Sequence, residues 1–354
     1  MPTRLLISIG LLWLFTAASQ AEEKKPSPIT PAEAECHQRA VAHADPGLTL
    51  SEVRRRCGVN AEDFQARKVK DKAEAGDKTV VENEETADIP ERRSLELSAA
   101  SNPYGITPHR VNYLLPVTYS RNPNRAPFGA EGEAFDKGEV KFQFSYKVPL
   151  VTQLTGRDID LFFAYTNQSW WQAFNGTISR PFRETNHEPE LFFTWTDPWV
   201  PAYLDHLQLY TGLSHQSNGQ SGSLSRSWNR LYVGSRLEKR NFFADLKLWD
   251  RIPDDSKDSP DDPRGDDNPD IERFMGHFEL SLAYKRNDQS LGVLLRNNLR
   301  TGNNLGAIQI DYAFPLTDAL QGYVQYFNGY GESLIDYNHD INRFGLGIAI
   351  NEWP

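Results

Sequence analysis

The chain has 354 residues and a formal net charge of −10, and it carries no basic stripe. That argues against a nucleic-acid partner, because nothing offers a phosphate footprint. Beyond the first residues there is no apolar run long enough for a membrane-spanning helix, which leaves a soluble secreted domain or a membrane barrel, whose strands are apolar only at every second position.

The N-terminus reads as an export signal. Arg4 sits in a short n-region, an apolar run extends from Leu5 to Ala18, and the small residues Ser19 and Ala21 have the spacing a signal peptidase reads. The run is shorter than the ~20 residues a membrane anchor needs, so cleavage is expected after Ala21.

Residues 22–100 form a separate stretch, charged, alanine-rich and poor in aromatics. PAEAECHQRAVAHA and LSEVRRRCG read as short helices, the second capped by Ser51 and ended by Gly58. The charge-mixed segment behind them buries too little apolar area to repay ordering. Cys36 and Cys57 can pair in an oxidising periplasm; a metal site with His37 would lack two further ligands. The expectation is a partly helical or disordered periplasmic extension ahead of a barrel domain over 101–354.

After Asn102 the pattern changes to period two. Val140, Phe142, Phe144, Tyr146 and Val148 alternate with Lys141, Gln143, Ser145 and Lys147, and a similar alternation runs through Phe344, Leu346, Ile348 and Ile350. About twelve such strands follow one another, each close to the ~9–11 residues a tilted strand needs to cross a bilayer. They fall near residues 110–119, 139–148, 158–168, 188–197, 203–216, 228–239, 241–251, 275–285, 289–299, 305–314, 319–328 and 341–351. Connections after even-numbered strands are short (PWVPA, KR, RNDQ, PLTD), whereas most others are long and polar, TGNN being an exception. Short turns at one rim and long loops at the other, with both termini periplasmic, are the pattern of an outer-membrane barrel. The expected fold is all-β, a twelve-stranded antiparallel transmembrane β-barrel. Trp170, Trp171, Trp195, Trp199 and Trp249, near strand ends, suit interfacial girdles, although a soluble β-protein also places Trp in its core. Lys141, Gln143, Asp311 and Arg296, on the polar parity, are expected to build a hydrogen-bonded interior.

Between the fifth and sixth strands runs HQSNGQSGSLSRSWNRLY. Leu207, Leu209, Thr211 and Leu213 continue by parity into His215 and Ser217, and Leu231 and Val233 share parity with Asn229. All three polar residues therefore fall on the apolar, lipid-facing side, a placement that costs free energy and calls for a functional reason. A nucleophile, a base and a group that orients the base point to hydrolysis of an ester in membrane lipid. The alternatives are a solvated loop of a porin or adhesive barrel, since Ser, Asn and Gly are ordinary loop residues, and a soluble β-sandwich hydrolase.

HQSNG with SRSWNRLY resembles the outer-membrane phospholipase A family. So do SWWQ at Ser169–Gln172, PFRETNHEPELF at Pro181–Phe192, DDNPDI at Asp266–Ile271 and NGYGESLIDYN at Asn328–Asn338, over roughly residues 105–352. The resemblance implies a calcium-dependent phospholipase of the outer membrane that cleaves the sn-1 and sn-2 acyl esters of phospholipids and is active as a homodimer. It implies Ser217 as nucleophile, His215 as base, Asn229 as the orienting group, and the amide of Asn218 or Gly219 for the oxyanion. The calcium ligands it implies are Ser225, Asp267, Gln220 and, from a second copy, Ser179. After HxSNG the family usually carries Arg where this chain has Gln220; a backbone-carbonyl ligand tolerates that exchange, and a side-chain role would not. NGYGESLIDYN is expected to be a structural loop, with Glu332 and Asp336 paired to basic residues at the rim.

Overall fold

The computed structural model describes residues 105–154, 158–259, 262, 265–317 and 320–350. The export signal, the extension over 22–100 and the Cys36/Cys57 pair lie outside the described residues. Twelve long strands follow in order: β1 Tyr113–Ser120, β2 Gly138–Val151, β3 Ile159–Trp171, β4 Phe182–Thr196, β5 His206–Ser217, β6 Ser227–Lys239, β7 Phe242–Ile252, β8 Phe278–Arg286, β9 Gln289–Asn297, β10 Gly306–Pro315, β11 Gln321–Tyr330 and β12 Asp340–Ala349. Each pairs antiparallel with its sequence neighbours, and β12 returns to pair with β1, so the sheet closes on itself. Closure satisfies every edge, which is what lets a sheet of this size stand in lipid. Thr107–Pro108 extends the β1 edge by pairing with Lys147 and Tyr146 of β2.

The rims are unequal. β6 and β7 are joined through Arg240 and Asn241, and β8 and β9 through Asn287 and Asp288, with Arg240, Asn287 and Asp288 at positive φ as tight hairpins require. The opposite rim carries the longer loops over 121–137, 172–181, 218–226, 253–277, 298–305 and 331–339.

The wall is inverted relative to a soluble protein. Leu114, Val117, Phe144, Leu191, Leu213, Leu231, Val233, Leu248, Leu291 and Phe344 are exposed on the outside, while Lys141, Glu139, Arg183, Glu188, Glu190, Asp311 and Arg343 are buried inside. Those charges are ion-paired or, for Asp311, hydrogen-bonded, as buried charges must be. Towards the short-turn end, Arg110 bridges Glu188 and Glu190 at 3.0 Å each, and Lys247 reaches Glu190 at 2.8 Å. Towards the long-loop end, Arg183 joins Glu139 (2.7 Å) to Asp336 (3.0 Å), and Glu332 takes Lys141 (3.0 Å) and Arg343 (2.9 Å). Asp311 accepts from Gln309 and Gln325, Gln143 donates to the Val111 carbonyl, and Arg296 donates to the Gly331 carbonyl, as the polar parity predicts. The interior is bridged by these pairs, and the space left among them is about 200 Å³.

Two of the five tryptophans expected in girdles are not there. Trp195 and Trp199 are exposed, but Trp170 and Trp249 are buried inside the barrel. Parity decides it: Trp170 lies opposite the inward Lys141 on β2, whose ammonium sits 5.3 Å from its ring centre. Loop 331–339 is a structural cap, as expected. It folds into the mouth with Glu332, Ser333, Leu334, Ile335, Asp336 and Tyr337 all buried.

Candidate active site

β5 and β6 hold His215 opposite Asn229, and Ser217 opposite Ser227. The register is fixed from within: the buried Trp228 donates through Nε1 to Gln216 Oε1 at 2.8 Å, and the Arg230 guanidinium stacks 4.3 Å from the Trp228 ring centre. With those residues pointing inward, the alternation sends His215, Ser217 and Asn229 outward, beside the exposed Leu213 and Leu231. His215 Nδ1 and Asn229 Oδ1 are 2.8 Å apart. An amide oxygen can only accept, so Nδ1 carries the proton, and in the neutral ring that leaves the lone pair on Nε2, where an imidazole can take a proton from a serine.

The turn after Ser217 is built around Asn218, whose side chain is buried. Its Nδ2 donates to the Leu224 carbonyl (2.8 Å) and to Glu184 Oε2 (3.2 Å), and its Oδ1 accepts from the Arg226 amide (3.0 Å). Glu184 in turn accepts from Asn186 (2.6 Å) and from the Ile335 amide (3.1 Å), tying the turn to β4 and to the cap. The Asn218 backbone amide donates to the Arg226 carbonyl at 3.0 Å, so of the two amides expected to face an oxyanion, Asn218 is already committed. Gly219, exposed at φ +64°, is the one that remains; its left-handed backbone turns the chain sharply after the serine.

Of the expected cation ligands, Ser225 and Asp267 come together: Ser225 Oγ donates to Asp267 Oδ2 at 2.7 Å, with Ser227 Oγ at 3.5 Å from the same oxygen. A carboxylate with hydroxyls beside it is a hard-oxygen set of the kind calcium takes. Gln220 is exposed in the turn, its amide 3.3 Å from Asn218 Oδ1. Ser179 lies in the β3–β4 loop at φ +60° and joins neither pair. The acidic loop is not plain solvated surface. Asp266 pairs with Arg251 (2.5 Å), Asp267 Oδ1 with Lys257 (2.5 Å), and Asp270 accepts from the Tyr337 hydroxyl (2.7 Å).

Three further residues belong to this neighbourhood. His187 faces Ser217 across the β4–β5 pairing and is bonded to the Tyr165 hydroxyl at 2.6 Å on the outer wall; parity with Leu191 was the available signal. Glu184 and Lys257 act through contacts across 34 and 10 positions of sequence, which no local pattern announces.

A family model described as phospholipase A1 matches residues 89–350. The phospholipase A1 of Escherichia coli K12 is 36% identical over 258 residues, 72% of this chain and 85% of that one. A solved structure of outer membrane phospholipase A from Escherichia coli, 34% identical, superposes with a TM-score of 0.65 over 72% of this chain and 98% of its own. A Salmonella typhi outer membrane phospholipase dimer with bound calcium, 37% identical, gives 0.64 over 71% and 94%. With a barrel wall inverted for lipid and these matches across it, the chain belongs to the outer-membrane phospholipase A1 family.

Proposed function

We propose that this outer-membrane phospholipase cleaves the sn-1 and sn-2 acyl esters of phospholipids with Ser217, His215 and Asn229, assisted by calcium and working as a homodimer. The observation that carries the reading is the 2.8 Å bond between His215 and Asn229 on the lipid-facing wall, with Ser217 two residues from His215 on the same face. His215 Nε2 takes the Ser217 proton as Oγ attacks the ester carbonyl, and returns it to the departing alcohol. Asn229 holds the imidazole in the required tautomer and stabilises its charged form without adding a permanent charge beside lipid. The Gly219 amide receives the developing oxyanion. A solved structure of the Escherichia coli enzyme described as an active-site mutant, with an asparagine changed to alanine, supports an asparagine in this role.

Ser225 and Asp267 would hold the cation, with the Gln220 carbonyl beside them and Ser179 supplied by a second copy. Bound calcium supplies a fixed positive charge at the oxyanion. The Salmonella typhi dimer with calcium supports both the metal and the pairing of copies. The extension over 22–100 stands, in this reading, as a periplasmic appendage to the barrel domain.

The test is fatty-acid release from phospholipid–detergent micelles of defined composition, with calcium and with chelator. Release is expected to need calcium and to fall by at least about 10³-fold in Ser217→Ala. Undiminished release by Ser217→Ala would overturn the assignment, and undiminished release in chelator would overturn the calcium requirement alone.

A further inference from the structure

The Asp267 carboxylate already holds a cation of the chain's own. Lys257 Nζ lies 2.5 Å from Oδ1, with the two side chains only 15% and 9% exposed, while Oδ2 is taken by Ser225. The contact is built rather than incidental. The Asp266 amide donates to the Asp255 carbonyl at 2.8 Å, laying the stretch that carries Lys257 against the one that carries Asp267. Gly265 makes the approach possible. It sits at φ +89°, and a Cβ there would lie 2.7 Å from the Asp255 carbonyl oxygen and 3.0 Å from the Lys257 amide nitrogen. The neighbouring acids have other partners, Arg251 for Asp266 and Tyr337 for Asp270, so Lys257 is directed at the one carboxylate read above as a calcium ligand.

We propose that Lys257 is a built-in competitor for the divalent cation at Asp267, an ammonium that neutralises the carboxylate in the cation-free enzyme and must leave before calcium binds. This rests on reading Asp267 and Ser225 as calcium ligands. The two cations exclude each other on physical grounds. Calcium gathers oxygen ligands at about 2.3–2.6 Å, and an ammonium on the other oxygen of the same carboxylate repels the ion at close range and ties up the charge calcium needs. Lys257 thereby sets the calcium concentration at which the enzyme turns on. An affinity seen only by molecules whose lysine has swung away is lowered by the fraction of such molecules. It also keeps Asp267 from standing as an unpaired, largely buried anion when calcium is scarce.

The experiment is calorimetric titration of calcium into the detergent-solubilised full-length protein, comparing wild type with Lys257→Met, Lys257→Arg and Asp267→Asn. Methionine keeps most of the apolar stem and removes the charge. Lys257→Met is expected to bind calcium about tenfold more tightly. Lys257→Arg, which restores the charge, should bind much as wild type does, and Asp267→Asn should bind more weakly than wild type. If Lys257→Met binds no more tightly while Asp267→Asn weakens binding, the competitor role is wrong and the ligand assignment stands. If Asp267→Asn binds as wild type does, or no chain binds calcium, the ligand reading fails and this inference fails with it. Circular dichroism melting of each variant in the same detergent identifies any that has failed to fold, and Lys257→Gln then replaces Lys257→Met under the same criteria.

Discussion

At the residue scale, the candidate triad gains its geometry from what lies behind it. The inward pair Gln216–Trp228 and the stacked Arg230 lock two strands in register, and the outward neighbours on those strands then have no freedom to misalign. His215, Ser217 and Asn229 were legible because period-two alternation carries chemistry and orientation together: a residue sharing parity with Leu213 faces where Leu213 faces. Glu184 and Lys257 were not legible, since each acts by reaching a residue that only the closed barrel or the folded loop brings near. For Asn229 the expected effect follows from the bond it makes. A hydrogen bond to a group that becomes charged contributes about 1.5–3 kcal/mol. Asn229→Ala should therefore lower kcat by about 10- to 100-fold with little change in KM, a smaller loss than for Ser217→Ala. Equal losses in the two variants, measured on the same micellar substrate, would mean that Asn229 does more than orient the base.

At the element scale, the strand count and the unequal rims followed from alternation and loop length, while the girdle assignment of Trp170 and Trp249 failed. Nearness to a strand end says how high a residue stands, and parity says which way it points; for an indole with Lys141 or Arg230 to stack on, the interior is favourable. Loop 331–339 was legible as a structural loop with paired acids, but its fold into the barrel mouth comes from partners on distant strands, Arg183, Lys141 and Arg343. Glu332 lies in this loop, outside the strands. Burial alone would push its carboxyl up, but Arg343 and Lys141 outweigh it and hold it down at about 2, against an ordinary value of 4.5. A depressed carboxylate contributes stability that is complete above the unfolded value and is lost as pH falls through the folded one. The cap should accordingly lose about 3 kcal/mol between pH 4.5 and pH 2, an order-of-magnitude figure. Glu332→Gln should be destabilised against wild type at pH 7, and the gap should shrink steadily below pH 4.5. Guanidinium midpoints of the two proteins in one detergent read this directly; a gap that stays constant down to pH 2 would show that the charge of Glu332 is not what holds the loop.

At the scale of the whole molecule, the site faces outward on a convex wall, and this sets a demand the single barrel does not meet. Leu213, Leu231 and Val233 can lie along one side of an acyl chain, but a convex surface has no opposing wall to hold it. Ser179 sits in the β3–β4 loop and makes no bond to the Ser225–Asp267 pair among the described residues. In the proposed function a second copy set against this wall would answer both demands, enclosing the acyl chain and bringing its own Ser179 to the cation. Pairing would then act on catalysis itself, because substrate binding and the oxyanion's positive charge are both completed at the interface. Dilution tests it. At fixed calcium and saturating substrate, specific activity should fall as the protein is spread over more detergent micelles, in step with loss of the dimer seen by crosslinking. Ser179→Ala should weaken calcium binding under conditions that favour the dimer and leave it unchanged under conditions that favour the monomer. Specific activity that holds constant while the crosslinked dimer disappears would assign the whole reaction to one barrel.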